Sequence, residues 1–170
     1  MIDRNIFLVG FMGSGKTTYG KKLAGKLGIP FTDLDEWIET QSGKPIPSWF
    51  DEMGEEAFRK YESDALRQAA REPGVIATGG GTPCQDGNMD WMLAQGYTVY
   101  LKLFEGQLVE RLGKAKADRP MLRLAEGEGL RGRVHALLQE RSQFYARAHL
   151  VLHPEFFTPE RLAAQLTIDN

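Results

Sequence analysis

Short apolar runs alternate with stretches of helical periodicity along this chain. Asn5-Ile6-Phe7-Leu8-Val9 is nearly all apolar and stops at Gly10, which suits a strand buried on both faces of a parallel sheet. From Lys16 the period lengthens: Leu23 and Leu27 stand one turn apart, and Gly28 closes a helix over Lys16–Leu27. A second strand over Phe31–Asp33 leads into a helix over 34–40. Gly43, Pro45 and Pro47 then interrupt the chain, and Ser48 is the expected N-cap of a short helix ending at Met53. Phe58, Tyr61 and Ala65 mark a long amphipathic helix over 55–71. Further strands are predicted at 74–77, 97–103 and 149–152. Further helices are predicted at 89–95, 106–113, 130–146 and from Thr158 onward.

Strands and helices in alternation imply parallel pairing through right-handed crossovers, and so a three-layer α/β fold. No internal repeat, heptad pattern or low-complexity tract disturbs that reading. The stretch 114–129 mixes charges of both signs with Pro120, Gly127 and Gly129. It is too polar for a core and longer than most connections, so it is expected to be a mobile surface lid. Trp37, Trp49 and Trp91 fall on apolar helical positions and are expected to pack.

Composition narrows the class. The 170 residues are 42% apolar and 26% charged, the balance of one ordinary globular domain over 1–170. The lone Cys84 excludes an internal disulfide framework and a cysteine-based zinc site, and neither it nor the three histidines points to catalysis. Twenty-one basic against 23 acidic side chains leave a net charge of -2, which speaks against a nucleic-acid or membrane-surface footprint. No apolar run approaches the ~18–20 residues of a membrane span. Met1-Ile2-Asp3-Arg4 runs almost directly into the first strand, unlike a signal peptide. A cytoplasmic protein is the expectation.

The chemistry begins at Gly10-Phe11-Met12-Gly13-Ser14-Gly15-Lys16-Thr17, a full match to G-x-x-x-x-G-K-[ST]. Its glycines let successive backbone N–H groups point into one concavity, and the following helix adds its positive end. Lys16 is placed to reach the β- and γ-phosphates, and the Thr17 hydroxyl to ligate Mg2+. A glycine turn that merely precedes a helix would need neither the buried strand before it nor the full spacing. The loop is therefore read as a nucleoside-triphosphate site, formed by Gly13, Ser14, Gly15, Lys16, Thr17 and Thr18.

Three further features lie where ligands bind in such sheets, beyond the carboxyl ends of the strands. Asp33-Leu34-Asp35 ends the second strand, and positions i and i+2 of an extended segment leave on the same side. Asp33 is placed to hold metal-bound water, and Asp35 to accept a hydrogen bond from an acceptor hydroxyl. The plainer alternative has Asp35 capping the next helix. Gly79-Gly80-Gly81 ends the third strand, where it is either a plain turn or a backbone surface open to a ligand. Arg59 has Glu62 one turn on as a brace. Arg119, in the expected lid, is able to close over the transferring phosphates. Arg67, Arg71 and Arg161 read as solvated surface groups.

Taken in order, these residues resemble the shikimate kinases over about Asn5 to Tyr145. The motifs are Gly-Phe-Met-Gly-Ser-Gly-Lys-Thr at 10–17, Phe-Thr-Asp-Leu-Asp at 31–35, and Phe58-Arg59 with Glu62. They continue with Gly-Gly-Gly at 79–81, Asp-Arg-Pro-Met-Leu at 118–122, and Glu-Arg-x-x-x-Tyr at 140–145. The phosphate loop is common to many enzymes, whereas the ordered set of the other five is specific. The resemblance implies a P-loop kinase fold with a five-stranded parallel sheet in the order 2-3-1-4-5, a substrate-binding region at 34–62 and a lid at 114–129. It implies transfer of phosphate from ATP to the 3-hydroxyl of shikimate, a step towards chorismate and the aromatic amino acids; a monomer is expected.

By the same resemblance Asp35 binds that hydroxyl and serves as base. Arg59 and Arg141 hold the carboxylate, Gly80 and Gly81 line the pocket, Asp33 supports Mg2+ through water, and Arg119 belongs to the lid. Guanidinium groups suit a carboxylate, and phosphoryl transfer needs alignment and charge neutralisation more than covalent help. The chain departs from the family at His153-Pro154-Glu155-Phe156-Phe157-Thr158-Pro159, where relatives often carry an arginine or asparagine-rich turn against adenine. The base contacts therefore stay open, and core burial is expected for Phe156 and Phe157. Two rivals are a related small-molecule kinase, such as one acting on gluconate, and a non-catalytic nucleotide-binding module. Neither explains the acidic pair, Arg59, the triple glycine and Arg141 together.

Overall fold

The computed structural model describes residues 4–85, 87–115, 119–124, 127 and 129–168. The expected Met1-Ile2-Asp3 lead-in, Asp118 and Glu126 lie outside them. Five strands, β1 (Asn5–Val9), β2 (Phe31–Asp33), β3 (Val75–Ala77), β4 (Gly96–Leu101) and β5 (Leu150–Leu152), form one parallel sheet. Their order is β2-β3-β1-β4-β5, as expected. β1 lies at the centre with all five residues buried, the physical reason Ile6 to Val9 are all apolar.

Side chains alternate across that sheet. Ile6 and Leu8 enter a core with Leu23 of α1 (Lys16–Leu27) and with Leu162 and Leu166 of α7 (Pro159–Ile168). Phe7 and Val9 enter the opposite core, under α2 (Leu34–Ser42), α3 (Ile46–Ala69), α4 (Asn88–Gln95), α5 (Glu105–Lys114) and α6 (Leu130–Tyr145). Burying a side chain such as Leu66 or Leu137 there contributes about 1.5–3 kcal/mol. Trp37, Trp49 and Trp91 pack against this second core; Trp49 stacks on Tyr61 and Trp91 meets Phe7 edge-on. Among the described residues no helix is long and apolar enough to cross a membrane.

The departures from expectation are local. The helix expected from Ser48 starts at Ile46, because prolines are tolerated in a first turn that needs no intrahelical N–H, and Glu39 accepts the Ile46 N–H instead. The expected division into a short helix ending at Met53 and a long one starting at Glu55 holds: within α3 the backbone leaves the helical region at Gly54, whose φ of 81° only glycine adopts readily. β4 ends at Leu101 rather than Leu103, and short 3-10 turns at Thr82–Cys84 and Pro120–Leu122 carried no sequence signal. Phe156 is 69% exposed, not buried, whereas Phe157 packs against the α1/α7 core. Arg67 is no solvated group: it donates to Asn88 Oδ1 at 3.0 Å and lies over the Trp91 ring.

Candidate active site

All five strands are parallel, so the segments that follow β1, β2 and β3 emerge at one edge and share a cleft. After β1, Gly15 takes a left-handed conformation (φ 88°) as N-cap of α1 and makes no side-chain cap. The first-turn N–H groups of α1 are left to face the cleft with the positive end of the helix. Lys16 is buried, and its Nζ donates to the carbonyls of Gly10 at 2.8 Å and Phe11 at 2.9 Å. Burial lowers its ammonium from 10.5 to about 8, against the pull of Asp35 and then Asp33 and with the push of Arg119 and Arg141. Ser14 is also buried, and its Oγ has no partner among the described residues.

Thr17 Oγ1 donates to Asp33 Oδ2 at 2.5 Å, while Asp33 Oδ1 accepts from the backbone of Asp35 at 3.0 Å and Glu36 at 3.3 Å. The helix cap is thus Asp33, which corrects the alternative that gave this part to Asp35. Asp35 stands in the first turn of α2, so the two carboxylates converge because a strand ends and a helix begins between them. They do not converge through strand alternation. Burial raises the Asp35 carboxyl from 3.8 to about 7; Glu62 and then Asp33 add to this, and Lys16 and Arg119 oppose it.

Two cavities, each of about 240 Å3, meet at this point. One is lined by Gly13, Gly15, Lys16, Thr17, Thr18 and Asp33 and is the expected phosphate side. The other is lined by Arg59, Glu62, Gly81 and Arg141, with an apolar wall that includes Ile46, Phe50, Phe58 and Met121. Met12, Asp35, Gly79, Gly80 and Arg119 border both. Arg119 therefore stands over the junction, with a buried Nε that has no partner among the described residues.

The two other expected arginines face each other across the glycine turn. Arg59 Nη1 donates to Glu62 Oε2 at 2.9 Å and Nε to Glu55 Oε1 at 3.3 Å. Burial opposes the Arg59 charge, but Glu62 and then Glu55 more than compensate and hold the guanidinium above its usual value. Arg141 is 3% exposed, and its Nη1 lacks a partner among the described residues. A methyl on Gly81 would stand 2.5 Å from Arg59 Nη2, and one on Gly80 would stand 3.2 Å from Arg141 Nη1. Guanidinium groups press on Gly80 and Gly81, and a methyl on Gly79 would stand 2.8 Å from Glu62 Oε1, which goes beyond the flexible-turn reading. Arg59 and Arg141 beside the apolar wall of this chamber suit a small molecule with one carboxylate, and Asp35 at the border suits its hydroxyl.

Several residues of the site carried no sequence signal. Thr82 Oγ1 donates to Glu62 Oε1 at 2.8 Å, and Asn88 Nδ2 donates to the Thr82 carbonyl at 2.9 Å and to Ser63 Oγ at 2.9 Å. Both Thr82 and Asn88 are fully buried, so this network fixes Glu62, and Glu62 aims Arg59. Phe58, read from the sequence as a core position and as part of the Phe58-Arg59 motif, also lines the substrate chamber. Arg111 lies beside the phosphate loop, 3.4 Å from the Gly13 carbonyl, and also pairs with Glu155. Nothing in its helical context distinguishes it from a surface arginine.

The chain matches the family model for shikimate kinase over residues 12–168. The chain belongs to the shikimate kinase family. A shikimate kinase from Parabacteroides distasonis is 44% identical over 153 residues, which cover 89% of this chain and 88% of that one. The crystal structure of a shikimate kinase from Bacteroides thetaiotaomicron superposes with a TM-score of 0.85 at 38% identity, covering 97% of each chain. A shikimate kinase from Acinetobacter baumannii, solved in complex with shikimate, matches with a TM-score of 0.86 at 34% identity, over 98% of this chain and 92% of that one.

As a shikimate kinase the chain is an enzyme that uses ATP, and the rival reading of a non-catalytic nucleotide module falls. A divalent cation that accompanies the nucleotide needs hard oxygen ligands. The Thr17 hydroxyl and the Asp33 carboxylate provide such a pair beside Lys16. Among the described residues no group of three or more histidine, cysteine, aspartate or glutamate side chains forms a protein cage. That donor set fits Mg2+, which takes few protein ligands and completes its shell with phosphate and water oxygens.

Proposed function

We propose that this protein transfers the γ-phosphoryl group of ATP to the 3-hydroxyl of shikimate, giving shikimate 3-phosphate on the route to chorismate and the aromatic amino acids. The observation that carries the reading is the meeting of two chambers at Asp35, Gly80 and Arg119. One is built for phosphates and the other has paired guanidinium groups for a carboxylate.

Gly13, Ser14, Gly15, Thr17 and Thr18 cradle the triphosphate with Lys16, whose ammonium neutralises the β- and γ-phosphates. Arg59 and Arg141 hold the shikimate carboxylate, while Gly80 and Gly81 let the ring lie against the backbone. That grip turns the hydroxyl towards Asp35. Its carboxylate, pushed up to about 7 chiefly by burial, is poised to orient the hydroxyl and take its proton near neutral pH. Arg119 adds positive charge over the phosphate in flight, and Pro120 and Met121 beside it, on the wall of the substrate chamber, help to exclude competing water. Thr17 and, through water, Asp33 would hold Mg2+, which would supply charge neutralisation for the phosphates. Each chain is one kinase domain over 1–170 that works as a monomer, with no nucleic-acid or membrane partner. Dependence on ATP and a free thiol at Cys84 fit a cytoplasmic setting.

The test is a coupled assay of ADP release with shikimate, quinate and gluconate side by side, in the presence of Mg2+. Turnover on shikimate at least about a hundredfold above the other two is expected, since a hydroxyl or ring misplaced by about 1 Å costs about that much. Preference for gluconate, or ADP release indifferent to the acceptor, overturns the assignment.

A further inference from the structure

Gly80 occupies the seam between the two chambers. A methyl there would stand 3.2 Å from the Met12 N–H of the phosphate loop and 3.2 Å from Arg141 Nη1. Whatever sets the position of Gly80 therefore sets the spacing between the phosphate side and the carboxylate grip. The group that does so comes from α6, 65 residues away: the Tyr145 hydroxyl donates to the Gly80 carbonyl. Tyr145 is fully buried, lines neither chamber, and rests its ring against Tyr100 at 5.2 Å. It lies one helical turn after Arg141, so one turn of α6 both offers a guanidinium to the cavity and ties down the glycine that borders it.

We infer that Tyr145 is a positioning residue for phosphoryl transfer: its phenol fixes the Gly79–Gly81 turn against Arg141, and so sets the distance between the bound acid and the phosphate loop. The direction of the bond is set by chemistry. A carbonyl oxygen only accepts, so the phenol must keep its proton to hold it. Burial, the largest influence, raises the phenol well above its usual value, with the Arg141 charge pulling the other way, so the proton stays in place throughout the working range. Without that bond the Gly80 carbonyl is left unpaired and the turn is free to shift by a fraction of an ångström. In-line transfer is sensitive to displacements of that size.

The inference rests on the shikimate reading above, and its test separates the two. Tyr145→Phe keeps the ring and its packing and removes one oxygen. In this variant the KM for shikimate is expected to rise about fivefold to tenfold and kcat to fall about as much, while the KM for ATP stays within twofold. The thermal midpoint falls by only about 2–4 °C, as for the loss of one hydrogen bond in a chain of this size. Tyr100→Phe is the control, since it removes a neighbouring phenol with no bond to the turn, and it should leave all three constants unchanged. Constants like the wild type in a folded Tyr145→Phe enzyme overturn the inference, whatever happens to the midpoint. Equal losses for both substrates overturn it too. If Tyr145→Phe yields only unfolded protein while Tyr100→Phe folds, the phenol belongs to stability alone and the inference fails. A wild-type enzyme that leaves shikimate untouched sinks the parent reading instead.

Discussion

Glu62→Gln removes a negative charge from the back of the site while keeping the shape of the side chain. Glu62 is 1% exposed and accepts from Arg59 on one oxygen and Thr82 on the other. Across Gly79 it faces Asp35: the point where a methyl would stand lies 2.8 Å from Glu62 Oε1 and 3.0 Å from Asp35 Oδ1. The two oxygens are therefore no further apart than those distances combined. At an effective dielectric of about 20, unit charges about 6 Å apart repel by about 3 kcal/mol, or about 2 pH units on a neighbouring acid. Arg59 offsets part of that field, which leaves about one unit. Asp35 sits at about 7, raised first by burial and next by Glu62, so removing the Glu62 charge eases its ionisation and lowers the value.

Asp35 works in its ionised form, so the acid limb of kcat/KM for shikimate should move about one unit towards lower pH. That ratio reports the free enzyme, and the assay is the initial rate of ADP release at low shikimate across about pH 5 to 9. The new amide still accepts from Arg59 but without charge, at a cost of about 1 kcal/mol, which raises the KM for shikimate about fivefold. An acid limb that stays in place, or moves up, in a folded Glu62→Gln enzyme refutes the assignment of that limb to Asp35.

Lys16→Ala should lower kcat by at least about 10²–10³-fold in steady-state assays, because it removes the charge nearest the transferring phosphate; a near-normal kcat contradicts the loop assignment. Lys16 must be protonated to do this and burial has brought it down to about 8, so kcat/KM for ATP should decline above that pH, and a profile flat to about pH 9.5 would count against it. Arg59→Leu should weaken shikimate binding by about 2–4 kcal/mol in titration calorimetry and leave ATP binding nearly unchanged; equal losses point to a folding defect. Gly81→Ala puts no strain on the backbone, since φ is -90°, but sets a methyl 2.5 Å from Arg59 Nη2. Its KM for shikimate should rise about tenfold with little change in thermal midpoint, and a large drop in midpoint with an unchanged KM would show that the turn, not the guanidinium, gives way.

The phosphate loop was legible because its chemistry is local. Gly10, Gly13 and Gly15 each take positive φ, and a single short segment carries the whole requirement. The central strand was legible for a similar reason, since burial on both faces leaves no polar position in Ile6-Phe7-Leu8-Val9. Asp33 and Asp35 were legible as a pair, but their division of labour was not. Whether a carboxylate caps a helix or faces a cleft depends on the turn of the backbone at the strand end, which residue spacing alone does not specify.

By itself, then, the order of residues determined the parallel α/β scaffold, the triphosphate loop and, through the resemblance of its motifs, the family. Each of these follows from short-range periodicity or from a contiguous motif. Only the folded chain decided how Arg59 and Arg141 come to flank one glycine turn, why a side chain on that turn must displace a charged neighbour, and that Asn88, Thr82 and Tyr145 bond to it and around it. It also decided that Arg67 is engaged and Phe156 exposed. These are contacts between segments remote along the chain, and they exist only because five parallel strands deliver their carboxyl ends to the same edge.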